Sequence, residues 1–142
     1  MSSYQINLEA AVKRFQFDED KVRQITKKIL STENINEALV NVIFVDDKQI
    51  TGLNKKYLHK DSATDVISFL LESDTEKKSL EGEVYANLEQ IERQALEYKT
   101  TKTEEFFRII IHGVLHLVGY NDLSPTDKKN MTKKEDFYLT FI

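Results

Sequence analysis

The chain contains no cysteine, which removes disulfides and thiolate metal sites and leaves nitrogen and oxygen as the ligands any metal centre must use. A chain without disulfides suits a reducing compartment, and a cytoplasmic location is expected. No apolar run approaches the roughly 20 residues that cross a bilayer, so no membrane partner is expected. The opening Met1-Ser2-Ser3-Tyr4-Gln5-Ile6 has no basic start leading into an apolar stretch, so no secretory leader is expected. There is one proline and there are four glycines, with no Pro/Gly-rich linker, repeat or low-complexity segment. The 142 residues are therefore read as a single domain, 1–142, around one core. Positive charge is not in excess either. A net charge of −4 speaks against a protein that coats nucleic acid. Two basic clusters, Lys55-Lys56 with Lys60 and Lys128-Lys129 with Lys133-Lys134, read first as solvated helix faces.

What is present is a regular succession of short elements. Strands are expected at Tyr4–Asn7, Leu39–Val45, Val66–Leu71 and Glu83–Asn87, the second and third being β-branched and aromatic. Asp18 caps a helix to Leu30, with Val22, Ile25, Ile29 and Leu30 on one face. Asp46 caps a helix to about Tyr57, and Asn87 one to about Tyr98. Thr101 and Glu104 have capping-box spacing and start a helix that Gly119 ends. Ser124-Pro125 opens a last helix to about Tyr138. The polar stretch Glu72–Glu81 reads as an exposed loop. The order is not strict βαβ alternation, so an α+β fold is expected, with a small mixed four-stranded sheet packed against about five helices.

The helix from about Thr103 to Val118 carries the chemistry. Phe106, Phe107, Ile109, Ile110, Ile111, Val114, Leu115, Leu117 and Val118 cover most of its circumference, as in a buried helix. Its polar residues, Glu105, Arg108, His112 and His116, recur three or four apart and form one stripe. Two imidazoles on the polar line of a buried helix need partners, and a shared metal ion is one way to provide them. Histidines at this spacing are by themselves a weak signal. Three features strengthen it: the apolar flanks, the scarcity of histidine elsewhere, and Asp122, a carboxylate just past a glycine that lets the chain turn back. Three protein ligands with an open position is the form of a catalytic zinc site. Gly113 stands where zinc proteases of the HExxH type carry their glutamate base, which disfavours that chemistry. A glycine inside a helix costs about 1 kcal/mol relative to alanine. The close approach of a strand or of substrate is the expected reason for it.

The segment His112-Gly113-Val114-Leu115-His116-Leu117-Val118-Gly119-Tyr120-Asn121-Asp122 resembles the HGxLHLxGYDH signature of the YbeY family of metal-dependent endoribonucleases. Leu53-Asn54, Tyr57, Lys60-Asp61 and Thr64 to Phe69 are similar to the family's LNxxYRxKDxxTDVLSF, and Gly82-Glu83-Val84, Gln94-Ala95, Met131 and Glu135 also match. The resemblance implies a zincin-like fold and a single-strand-specific endoribonuclease of ribosomal RNA maturation and ribosome quality control. It implies one zinc ion per chain on the motif's three histidine positions. The implied partners are single-stranded or ribosomal RNA and the small ribosomal subunit with its maturation factors. The chain departs from the pattern twice: Asp122 replaces the third histidine, and Leu58 replaces an arginine that contributes to activity in the family. Aspartate is a competent zinc ligand, harder than histidine, and admits manganese or iron more readily. His59, Lys60 and Arg108 are the candidates to substitute in part for the arginine.

The resulting assignment has His112, His116 and Asp122 as metal ligands and His112 with His59 as the catalytic pair. Lys55, Lys60, Ser68 and Phe69 are expected to meet substrate, with Glu83 and Arg108 supporting the ligands from behind. The competing readings are a metal-dependent hydrolase of another substrate, such as a peptide, and a catalytically weakened ribosome-associated binding protein.

Overall fold

A computed structural model describes residues 2–142 of the chain. Strands β1 (Ser3–Ala10), β2 (Glu37–Val45), β3 (Val66–Asp74) and β4 (Ser79–Asn87) form one sheet in the order β1-β2-β4-β3. The sheet is mixed, as expected: β1, β2 and β4 run parallel, and β3 is an antiparallel edge strand. Helices α1 (Glu19–Thr32), α2 (Asp47–Leu53), α3 (Leu88–Glu97), α4 (Lys102–Leu117) and α5 (Pro125–Leu139) complete the α+β fold.

The caps read from sequence are all made. Asp18, Asp46, Asn87, Thr101 and Ser124 each accept from a backbone N–H of the helix they open, and Asp46 with Gln49 forms a reciprocal box. At α4 the box is only half made. Thr101 accepts from the Glu104 N–H, but the Glu104 carboxylate takes the Thr100 hydroxyl instead of the cap's backbone. The helix expected to reach Tyr57 changes character at Asn54, where a π turn runs through Leu58. Buried Asn54 donates its amide to the Ser62 carbonyl (2.7 Å), while its own carbonyl accepts from the N–H groups of His59 and Lys60. One residue thus folds the Leu58–Ser62 loop back toward β3.

The segment Glu72–Glu81 is not a loop. Its two ends are the tips of β3 and β4, with Glu72 opposite Glu81 and Asp74 opposite Ser79, and the turn between them is closed by the Asp74 carboxylate accepting from Glu76 and Lys77. β3 is exposed on both faces from Leu70 outward, so polar residues there face water without breaking the ladder.

One face of the sheet carries the main core. Val40, Val42, Val84 and Ala86 meet α1 and α4, and Phe17 stacks on Phe106 with ring centroids 4.5 Å apart. Ile43, Val45 and Ile67 form a smaller cluster with Ile50 on the other face. α4 lies close enough to the sheet that a Cβ at Gly113 would sit 2.5 Å from Val84 Cγ1 and 3.1 Å from Val66 Cγ2. A strand's approach is therefore what this glycine permits. The Ser68 hydroxyl donates to the Gly113 carbonyl at 2.8 Å, tying β3 to the same point.

Gly113→Ala is expected to destabilise the fold by about 1–3 kcal/mol in urea titrations. The gain in helix propensity, about 1 kcal/mol, is outweighed because Val84 is fully buried in an inner strand and cannot retreat. An unchanged or raised midpoint would refute this packing argument.

Candidate metal centre

α4 ends in a Schellman motif. The Tyr120 N–H reaches the Leu115 carbonyl (3.0 Å) and the Gly119 N–H the His116 carbonyl (3.2 Å), with Gly119 at φ 109°. The turn sends the chain back along the helix. The Tyr120 carbonyl then faces His116 Nδ1 at 3.0 Å, and Asp122 faces both imidazoles.

Three ligand atoms converge. His112 Nε2 and His116 Nε2 are 3.0 Å apart, and Asp122 Oδ2 lies 3.4 Å from the first and 3.9 Å from the second. The partners of the other ring nitrogens set the tautomers. A carbonyl can only accept, so His116 Nδ1 donates to Tyr120. A carboxylate accepts in the same way, so His112 Nδ1 donates to Glu135 Oε2 at 2.6 Å. Both Nε2 atoms of the neutral rings then present lone pairs to each other and to a carboxylate oxygen. Such an arrangement repels itself unless a cation, a proton or a metal ion, lies between. Ligands about 2.0–2.2 Å from a tetrahedral ion stand roughly 3.3–3.6 Å apart, and the observed separations bracket that range. The donor set fits zinc, and it equally fits manganese or iron.

Support comes from α5. Glu135, nearly buried, holds His112 with one oxygen and accepts from Arg108 Nη1 with the other at 3.1 Å, while Arg108 Nη2 reaches Asp136 at 2.7 Å. Burial works against the charged form of His112. The hydrogen bond and charge of Glu135, with the charges of Asp65 and Asp122, outweigh it and raise the pKa above the ordinary histidine value. His116 goes the other way, lowered by burial and by the charge on His112.

The other expected site residues are scattered. An open groove of about 520 Å³ runs from His116 along β3 and is lined by Lys60, Leu58, Asn54, Thr64 and Ser68 among others. Ser68 is in place, but its hydroxyl is committed to the Gly113 carbonyl. Phe69 and Glu83 lie on the opposite face of the sheet. β4 presents Gly82 and Val84 to α4, so Glu83 points away and accepts from Tyr85, while Phe69 packs on Tyr57 and Tyr85. A residue out of phase by one position in a strand changes face, so Glu83 does not reach a ligand and Phe69 does not line the groove. His59 is exposed in the left-handed conformation that ends the π turn, and its neighbours line the groove in its place. Lys55 pairs loosely with Asp61 at 3.8 Å, outside the groove. His112 has both ring nitrogens committed, which leaves it no free position for acid–base work. Arg108 does support a ligand, through Glu135. Glu135 itself was quoted from sequence only as a matching position, and the Tyr120 carbonyl was missed.

Comparison with known proteins bears on this arrangement. A sequence profile described as Endoribonuclease YbeY matches residues 6–142. The chain belongs to the YbeY endoribonuclease family. Among its relatives, the Endoribonuclease YbeY of Karelsulcia muelleri is 41% identical over 114 residues, 80% of this chain and 79% of that protein. That of Amoebophilus asiaticus is 38% identical over 111 residues, covering 78% and 74%. The solution structure of TM1509 from Thermotoga maritima superposes with a TM-score of 0.64 at 28% identity, covering 95% of this chain and 87% of that one.

Zinc affinity, measured by chelator competition, is expected to weaken as the pH falls. Because His112 must lose its proton to ligate and holds it more tightly than usual, the weakening begins above the ordinary value of about 6.5. Glu135→Gln, which removes the charge but keeps an acceptor oxygen, should move that onset to lower pH. An onset unmoved in this variant would contradict the role given to Glu135.

Proposed function

We propose that this chain is a zinc-dependent, single-strand-specific endoribonuclease of the cytoplasm, acting in small-subunit ribosomal RNA maturation and ribosome quality control. The observation that carries this reading is the convergence of His112 Nε2, His116 Nε2 and Asp122 Oδ2 at the end of an open groove, in a chain of an endoribonuclease family. A divalent ion held by these three atoms would polarise a phosphoryl oxygen and make water a stronger nucleophile.

The chain's own residues do the rest. Glu135 and the Tyr120 carbonyl hold the imidazoles so that their Nε2 atoms stay turned toward one point. Asp122, about two-fifths exposed, leaves that point open to substrate. Lys60 on the groove wall meets the backbone phosphates, and Leu58 beside it supplies apolar surface. With the two imidazoles engaged, proton transfer falls to another group or to solvent.

A second reading, a ribosome-associated binder with weakened catalysis, is favoured by one observation. Leu58, not a cation, occupies the groove wall. Peptide hydrolysis by an HExxH mechanism is disfavoured because residue 113 has no side chain and sits against Val84.

Incubation of the purified protein with single-stranded RNA, with and without chelator, separates these readings. Cleavage that needs metal is expected, and His116→Ala should lower it at least about 100-fold, beyond the usual effect of residues that only support ligands. Lys60→Ala should weaken RNA binding and flatten its salt dependence. Tight binding to small ribosomal subunits without cleavage at any metal loading would favour the binder.

A further inference from the structure

Glu33 follows the last turn of α1, and its carboxylate is where three elements meet. The Tyr120 hydroxyl, from the turn after α4, donates to Oε1 at 2.7 Å. The Tyr138 hydroxyl, from α5, donates to Oε2 at 2.5 Å, and Lys134 Nζ lies 3.2 Å from the same oxygen. The side chain is only 14% exposed. Its position is unfavourable on local grounds, because a helix C-terminus repels negative charge. The partners explain the choice. Two hydroxyls and an ammonium all donate, and a carboxylate offers two acceptor oxygens and no donor. Glu33 is itself held, its N–H bonded to the Ile29 carbonyl at 2.9 Å.

Tyr120 is the link to the metal centre. Its hydroxyl is on Glu33, its N–H is on the Leu115 carbonyl, and its carbonyl accepts from His116 Nδ1. Asp122 comes two residues later. Any movement of the Tyr120 ring therefore displaces both the group that orients one ligand and the turn that carries another. We propose that Glu33 is a positioning residue of the metal centre, acting through Tyr120 on the orientation of His116 and the placement of Asp122. The proposal rests on the metal-centre reading given above.

Tyr138 provides the control, because it bonds the other oxygen of the same carboxylate and makes no hydrogen bond of its own to Tyr120 or His116. Two readouts separate positioning from folding: zinc affinity by chelator competition, and the His116 tautomer in the metal-free protein by ¹⁵N NMR. Tyr120→Phe and Glu33→Ala should weaken zinc binding about tenfold, at the low end for groups that support a ligand from behind. Both should also lose the clean Nδ1–H tautomer of His116. Tyr138→Phe should lower the melting temperature but keep zinc affinity within about twofold and the tautomer intact. If Glu33→Ala does not fold, Tyr120→Phe decides alone. Equal loss of affinity in Tyr120→Phe and Tyr138→Phe, or none in Tyr120→Phe, overturns the proposal. If the wild-type protein takes up no zinc, the metal-centre reading fails. An unaltered tautomer in Tyr120→Phe would then overturn the positioning role separately.

Discussion

Helix α4 touches the sheet at a residue without a side chain, and the site follows from that contact. With Gly113 against Val84 and Val66, the helix sits too close for any larger residue, and its apolar surface is covered by the sheet, α1 and α3. The remaining arc faces α5, where Arg108, His112 and His116 lie. A buried helix can keep polar groups only where partners are supplied: α5 supplies Glu135 and Asp136 to Arg108 and His112, and the turn before it supplies the Tyr120 carbonyl to His116. Among the described residues no buried side-chain nitrogen or oxygen lacks a partner.

What makes this polar line able to hold a metal ion is the direction of the protons. Each imidazole spends its N–H on an acceptor behind it, a carboxylate for His112 and a carbonyl for His116. The lone pairs are thereby forced to the front, onto one another and onto Asp122. An aspartate in place of a third histidine makes the site one unit more negative, so a metal ion held there would acidify bound water less. Leu58 stands on the groove wall where the family pattern has an arginine, so the three-ligand cluster is more strongly determined than the chemistry proposed beside it.

The local chemistry of the sequence was legible because it is local. Caps at Asp18, Asp46, Asn87, Thr101 and Ser124, and the helical spacing of His112 and His116, follow from residues three or four apart. Errors arose where an answer depended on strand parity or distant pairing. Glu83 is expected behind a ligand and Phe69 on substrate, yet which face of β4 meets α4 is decided by the Gly113–Val84 contact, 29 positions apart in the chain. Gly82 was the available clue, since a small residue two before Val84 marks the face on which Leu117 packs. The hairpin of β3 and β4 was hidden by polarity, because an edge strand exposed on both faces does not alternate. Glu135 was visible as a position but not as a partner, since nothing in the sequence says that α5 crosses α4 at Arg108 and His112.

The account stands on one claim, that His112, His116 and Asp122 hold a single metal ion. An anomalous-difference map from crystals grown with zinc and recorded at the zinc edge tests it most directly. The account predicts one strong peak about 2.0–2.2 Å from His112 Nε2, His116 Nε2 and an Asp122 carboxylate oxygen. A map with no peak there, or with a peak that leaves either histidine out of reach, would contradict it.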